Sequence, residues 1–344
     1  MKYVLPGFAL ALAVTAPGSS ADMRHHETGP RVFSPATFTT SETVEGARLS
    51  PSGAEIALVT SQLKPSLDST EGYRNLLVEI WSVEKVRKVV TINLSTVHYS
   101  LQAGVPQPQA RVGERFIRYA ADGKLLVAYD GEDLKVFEVS FATAPSSTME
   151  RVSVQLRETQ RIHLELGLPQ SNTLVQSMEV TGDGSRAAVE ICNPRESSRV
   201  TIRAYDLFSG SVLQQWGFET GCVFSGYNPL SWDPLGARLA ISLPEYGGGS
   251  PRPLPFIKRK DHLYILEVKS GKILHDTRTG YISGPVCFTS KDTVLTASLN
   301  ADARYFREDA IREWNVNTGR LVSFCRETPI LAKKFDWAIV ISGI

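Results

Sequence analysis

Hydrophobic and polar residues alternate with period two along most of the chain, and the alternating runs come in pairs closed by tight turns. ARLSPSGAEIALVT, IRYAADGKLLVAYD, MEVTGDGSRAAVEI and LSWDPLGARLAISL each read as strand, hairpin, strand. Gly53, Gly123, Gly184 and Gly236 stand where such a hairpin needs a positive φ or a residue without a Cβ. CFTSKDTVLTAS is a fifth copy, with Lys291 and Asp292 in place of the glycine. After each hairpin comes a further strand pair, in EIWSVEKVRKVV, LKVFEVS, IRAYDLFSGSVLQQW, LYILEVKSGKIL and IREWNVNTGRLVSF. Trp81, Phe137, Tyr205, Leu266 and Trp314 are the equivalent central residues, recurring every 50–70 residues or so.

Each interval holds four strands, and no long stretch keeps helical spacing with good caps, so the chain reads as all-β. Four-stranded units repeated about five times predict a β-propeller, whose radial arrangement leaves only short, protected sheet edges. Trp314 should sit in a third strand, Asn317-Thr318-Gly319 should turn, and RLVSF should form the outer strand of that blade. ILAKKFDWAIVISGI reads as the first two strands of a further blade, and VFSPATFTT could supply its outer strands and close the ring, which removes open sheet edges. Six blades are therefore expected. A seventh could come from residues 141–177, where RVSVQLR and IHLELGL are strand-like. The expected organisation is 1–21 as a signal peptide, 22–43 as a segment able to close the ring, and 44–344 as the propeller.

At the SPSG, ADGK and GDGS hairpins and the AYDLFSG, LEVKSG and EWNVNTG turns, the chain resembles the bacterial WD-repeat-like and TolB-like propellers, over roughly residues 44–344. That resemblance implies a fold and a style of binding, and by itself no reaction. No Gly-His dipeptide occurs and no third strand carries Trp-Asp, so the hydrogen-bonded tetrad of eukaryotic WD repeats is not expected.

Composition adds the compartment. The start, MKYVLPGFALALAVTAPGSSADM, has one Lys, an apolar run too short to span a bilayer, and Ser19 and Ala21 at the −3 and −1 positions of a small-x-small cleavage site. Export to the periplasm or medium is expected, with a mature start near Asp22. No later run reaches spanning length, so no membrane span is expected. Lys plus Arg number 37 against 36 Asp plus Glu, with no basic cluster dominating, so nucleic acid is not expected as a partner. An oxidising compartment makes the four cysteines disulfide candidates; blade geometry suggests Cys192–Cys222 and Cys287–Cys325, each pair meeting at one face of a blade.

Candidate chemistry is sparse. Relatives of TolB-like propellers cap the prolyl oligopeptidases, but those carry the nucleophile on a separate α/β-hydrolase domain, and G-x-S-x-G is missing here. Ser225 in GCVFSGY lacks the preceding glycine and reads as a loop serine. His25, His26 and Glu27 read as a polar tail, and His98, His163, His262 and His275 show no metal-ligand spacing. Asp302, Glu308 and Asp309 fit no calcium loop. No catalytic residue, metal or cofactor is assigned. The most distinctive loop, PEYGGGSPRPLPFIKRK, offers Tyr246, Arg252, Phe256, Lys258, Arg259 and Lys260 as partner-contact residues. The expectation is a monomeric, exported propeller that binds a protein, peptide or glycan through its loops; the alternative is a lyase or lactonase with polar side chains gathered at the central channel.

Overall fold

The computed structural model describes residues 43–65, 71–102, 105–106, 117–143, 152–166, 174–192, 199–220, 228–244, 261–279, 283–298 and 310–326. They form five antiparallel sheets, each a run of strands paired in chain order. The first blade is β1 (Thr43–Leu49), β2 (Glu55–Pro65), β3 (Glu71–Ser82) and β4 (Arg87–Gln102), extended by a short β5 (Val105–Pro106). The second is β6 (Ile117–Tyr119), β7 (Leu125–Tyr129), β8 (Asp133–Thr143) and β9 (Val152–His163). The third is β10 (Leu174–Val180), β11 (Arg186–Cys192), β12 (Val200–Asp206) and β13 (Val212–Phe218). The fourth is β14 (Leu230–Trp232), β15 (Arg238–Pro244), β16 (Asp261–Glu267) and β17 (Ile273–Arg278). The fifth is β18 (Ser283–Phe288), β19 (Thr293–Ser298), β20 (Ala310–Asn315) and β21 (Leu321–Arg326).

This is an all-β propeller, with five blades among the described residues. The segments expected to complete a sixth, 32–40 and 330–344, lie outside them. Within the segment that could have held a seventh blade, the described residues include one long strand: VSVQLR falls in β9, which pairs with β8 over its length as the outer edge of the second blade. Its apolar residues serve two ends of one strand, with Val154 and Ile162 both buried.

The hairpin glycines behave as their position requires. Gly53, Gly123, Gly184 and Gly236 have φ of 74°, 71°, 70° and 65°. In the fifth blade no glycine is needed, because Ser290 Oγ accepts the amides of Asp292 and Thr293 at 3.1 Å each and closes the turn through a side chain. Trp81, Phe137, Tyr205, Leu266 and Trp314 all lie in third strands and are all buried. Each follows directly on a register shift against the fourth strand, so the same bulge recurs in every blade.

Blades are joined by apolar packing and by polar ties. One cluster runs from Ala57 and Val78 through Val127 and Val136 to Val189, across the first three blades; a second joins Ala188 and Ile202 to Leu239 and Ile241; a third joins Ala240 and Ile265 to Val294 and Trp314. Within the second blade Lys135 Nζ pairs with Asp130 Oδ2 at 2.8 Å, both side chains buried, and it donates across to the Leu94 carbonyl of the first blade. Farther round, Trp216 Nε1 donates to Gly271 O at 2.8 Å and Arg186 donates to Gly236 O.

Candidate functional site

The first strands of the five blades, β1, β6, β10, β14 and β18, contact one another in that order and form the inner wall. At the fifth residue before each hairpin glycine they present Arg48, Arg118, Glu179 and Ser231, and the matching position of the fifth blade is Cys287. Strand sterics explain the placement. The flanking residues, such as Ile117, Val180, Leu230, Trp232, Val286 and Phe288, are buried between blades, so period two leaves the intervening position free for a polar residue.

These positions converge. Arg118 Nε donates to Glu179 Oε2 at 2.9 Å across a blade boundary. The charge on Arg48 is felt together with those of Arg118, Glu179 and Cys287, and Cys287 feels Glu179. First, third and fifth blades are not sequential neighbours, so side chains from non-adjacent blades lie within one another's field.

The ring is electrically uneven. Glu179 Oε2 accepts from Arg118 and also from Asn228 Nδ2. Asn228 is itself held, since its Oδ1 accepts Ser177 Oγ at 2.5 Å and the Leu230 amide at 3.2 Å. One cation and one anion are therefore matched. Arg48 is different: among the described residues it has neither a hydrogen bond nor an ion pair, and burial, then repulsion from Arg118, lowers its pKa from 12.5 to about 10. Among the described residues of the ring, two guanidiniums stand against one carboxylate. Ser231 Oγ accepts the Phe288 amide at 3.0 Å, which leaves its own proton to be donated. The Cys287 thiol donates to the Phe288 carbonyl at 3.5 Å, and burial, then Glu179, raises its pKa, so it stays protonated at neutral pH.

Sequence reasoning passed over this ring. A usable signal existed: aligning the five hairpins on their turns exposes one polar column, Arg, Arg, Glu, Ser and Cys, inside otherwise apolar strands. The partner-contact residues Tyr246, Arg252, Phe256, Lys258, Arg259 and Lys260 lie outside the described residues, as do His25, His26, Glu27, Ser225, Asp302, Glu308 and Asp309. The described histidines hold local contacts. His163 Nδ1 meets Asp133 Oδ1 at 2.8 Å, His262 Nδ1 meets Asp276 Oδ1 at 2.5 Å, and His275 Nε2 meets Asn317 O at 3.0 Å.

The cysteine expectation needs one correction. Cys287 is a free thiol, so it does not bridge to Cys325. The reason is geometric: Cys287 lies on the innermost strand of its blade and Cys325 on the outermost, with β19 and β20 between them. Cys192, at the buried end of β11, is disulfide-bonded, and Cys222 lies outside the described residues.

The chain matches no protein-family profile and no curated protein in sequence. Among solved structures it is similar to the β-propeller domain of the Trilobed protease from Pyrococcus furiosus, at 12% identity and a TM-score of 0.44, covering 83% of this chain and 72% of that one. Kuenenia stuttgartiensis hydrazine synthase gives 12% identity and a TM-score of 0.44 over 85% of this chain and 81% of that one. The β-propeller domain of Myceliophteria thermophila Cps50 (Swd1) gives 10% identity and 0.38 over 84% and 89%.

Proposed function

We propose that the chain is an exported propeller that acts as a binding scaffold for a protein, peptide or glycan, without catalysis of its own. The SPSG, ADGK and GDGS hairpins support a place among TolB-like and WD-repeat-like propellers, and the N-terminal apolar run with Ser19 and Ala21 supports export. The observation that carries the binding reading is the axial ring, in which five blades each present one polar residue at the same strand position and Arg48 lies within the field of Arg118, Glu179 and Cys287. Three of the contributing strands, β6, β10 and β14, are each packed between two neighbouring first strands, and side chains held on such strands bind with little ordering cost. The ring's chemistry suits recognition: Glu179 is held by Arg118 and Asn228, and the Cys287 thiol is protonated and a poor nucleophile. The test is affinity capture from the native cell envelope with the mature chain, followed by reconstitution with the purified partner. A saturable complex with one partner is expected, and failure to recover any saturable complex would overturn the reading.

The same gathering of polar side chains at the channel favours a second reading, a small-molecule lyase or lactonase. Its test is turnover of lactones and uronate-containing glycans by the mature chain. Activity abolished by both Arg118→Met and Glu179→Gln would establish it.

A further inference from the structure

We infer that the axial ring is a receptor for a single carboxylate group, bound by Arg48 and reached along the propeller axis. The inference rests on reading the ring as the binding site and adds the chemistry of what enters it. Three observations carry it. Arg48 is a half-buried guanidinium without a partner among the described residues, while Arg118 and Glu179 one and two blades away are matched to each other. An enclosed charge lacking a counter-ion is costly, and its removal or its pairing relieves that cost. The guanidinium fork matches the two oxygens of a carboxylate, and Ser231 holds an unspent hydroxyl proton on the same ring.

Charge counting selects the ligand class. Among the described residues of the ring the excess is one, which one carboxylate cancels. A phosphate monoester carries about −1.5 to −2 near neutral pH and would leave negative charge uncompensated beside Glu179. The protonated Cys287 adds no charge to this balance. The carboxylate can belong to a small free acid or to the end of a peptide, and the two are separable by length.

The experiment uses the mature full chain and its Arg48→Met and Arg48→Lys variants, with acetate, N-acetylalanine, N-acetylalanine amide, Ala-Ala-Ala and inorganic phosphate as probes. Affinities come from ligand-observed NMR and from the shift of the thermal midpoint. The wild type should respond to the carboxylates and not to the amide, with phosphate weaker. Arg48→Met should unfold at the same temperature as the unliganded wild type or higher, since a half-buried unpaired charge has been removed, and should lose at least about tenfold in carboxylate affinity. Arg48→Lys should retain part of it. Tighter binding of the tripeptide than of acetate assigns a peptide end, and equal binding assigns a small acid. The inference is overturned by a wild type indifferent to carboxylates, by an equal response to the amide, by phosphate binding tighter than acetate, or by undiminished binding in Arg48→Met. Failure here and failure of the scaffold reading are distinct. A partner captured equally well by wild type and Arg48→Met removes the carboxylate role and leaves the scaffold, whereas carboxylate binding without any captured partner removes the scaffold.

Discussion

Val86 is the one described residue other than glycine with positive φ, at 47°, and it occupies the position that Gly210, Gly271 and Gly319 hold in later blades at 74°, 71° and 64°. A β-branched side chain in the left-handed region is strained, whereas glycine accepts it freely. Val86→Gly should therefore stabilise the protein by about 1 kcal/mol, the left-handed penalty less the entropy that glycine adds to the unfolded chain. Chemical denaturation would check it, and a loss of stability would show that Val86 packs usefully despite being exposed. His163 gives a pH signature. Its hydrogen bond to Asp133 raises its pKa above the ordinary 6.5. The pair's contribution is then fully present below 6.5 and is lost as pH rises through the elevated folded value. NMR titration should place the His163 midpoint above 6.5, and Asp133→Asn should bring it down; an unchanged midpoint in the variant would refute the pairing.

At the scale of strands and blades, much was legible in the sequence because the relevant physics is local. Hairpin glycines report positive φ, and the alternation around Trp81, Phe137, Tyr205, Leu266 and Trp314 reports which face of a strand is buried. RVSVQLR misled for the same reason: a long strand and a short hairpin share one pattern, and only pairing with β8 separates them. What the pattern could not report is which polar residues meet, as in the tie between Lys135, Asp130 and the Leu94 carbonyl, spread over two blades. That tie predicts a test of its own. Lys135→Met leaves the Asp130 carboxylate buried without its cation and should cost about 3–5 kcal/mol. Adding Asp130→Asn should return part of that loss, read by denaturant midpoint. A single variant as stable as the wild type would show that solvent reaches the pair.

For the whole molecule, the cysteines divide between frame and channel. Cys192, which is disulfide-bonded, pairs in register with Val200, Val200 pairs with Phe218, and Cys222 is the next cysteine in sequence after that strand. Peptide mapping without reductant should recover Cys192 joined to Cys222. Closing a loop of about 30 residues contributes a few kcal/mol, so reduction should lower the thermal midpoint. Under denaturing conditions Cys287 should alkylate without prior reduction; recovery of Cys192 as a thiol, or of Cys287 in a bridge, would contradict the assignment. The axial site was illegible from the sequence alone because its members lie in five separate blades and match no local motif. Arg48 lies within the field of Cys287 although the two stand on the first and fifth blades.

The repeated bulge and the polar column also divide the labour of the repeat. Four of five blades keep glycine at the first hairpin, and all five keep a large side chain at the bulge, whereas the axial position carries Arg, Arg, Glu, Ser and Cys. A unit copied along the chain thus holds its architecture in one set of letters and its message in another. Rewriting the axial letters one blade at a time, while leaving the hairpins and bulges alone, would retarget this propeller to cations or to neutral ligands without redesigning a single strand.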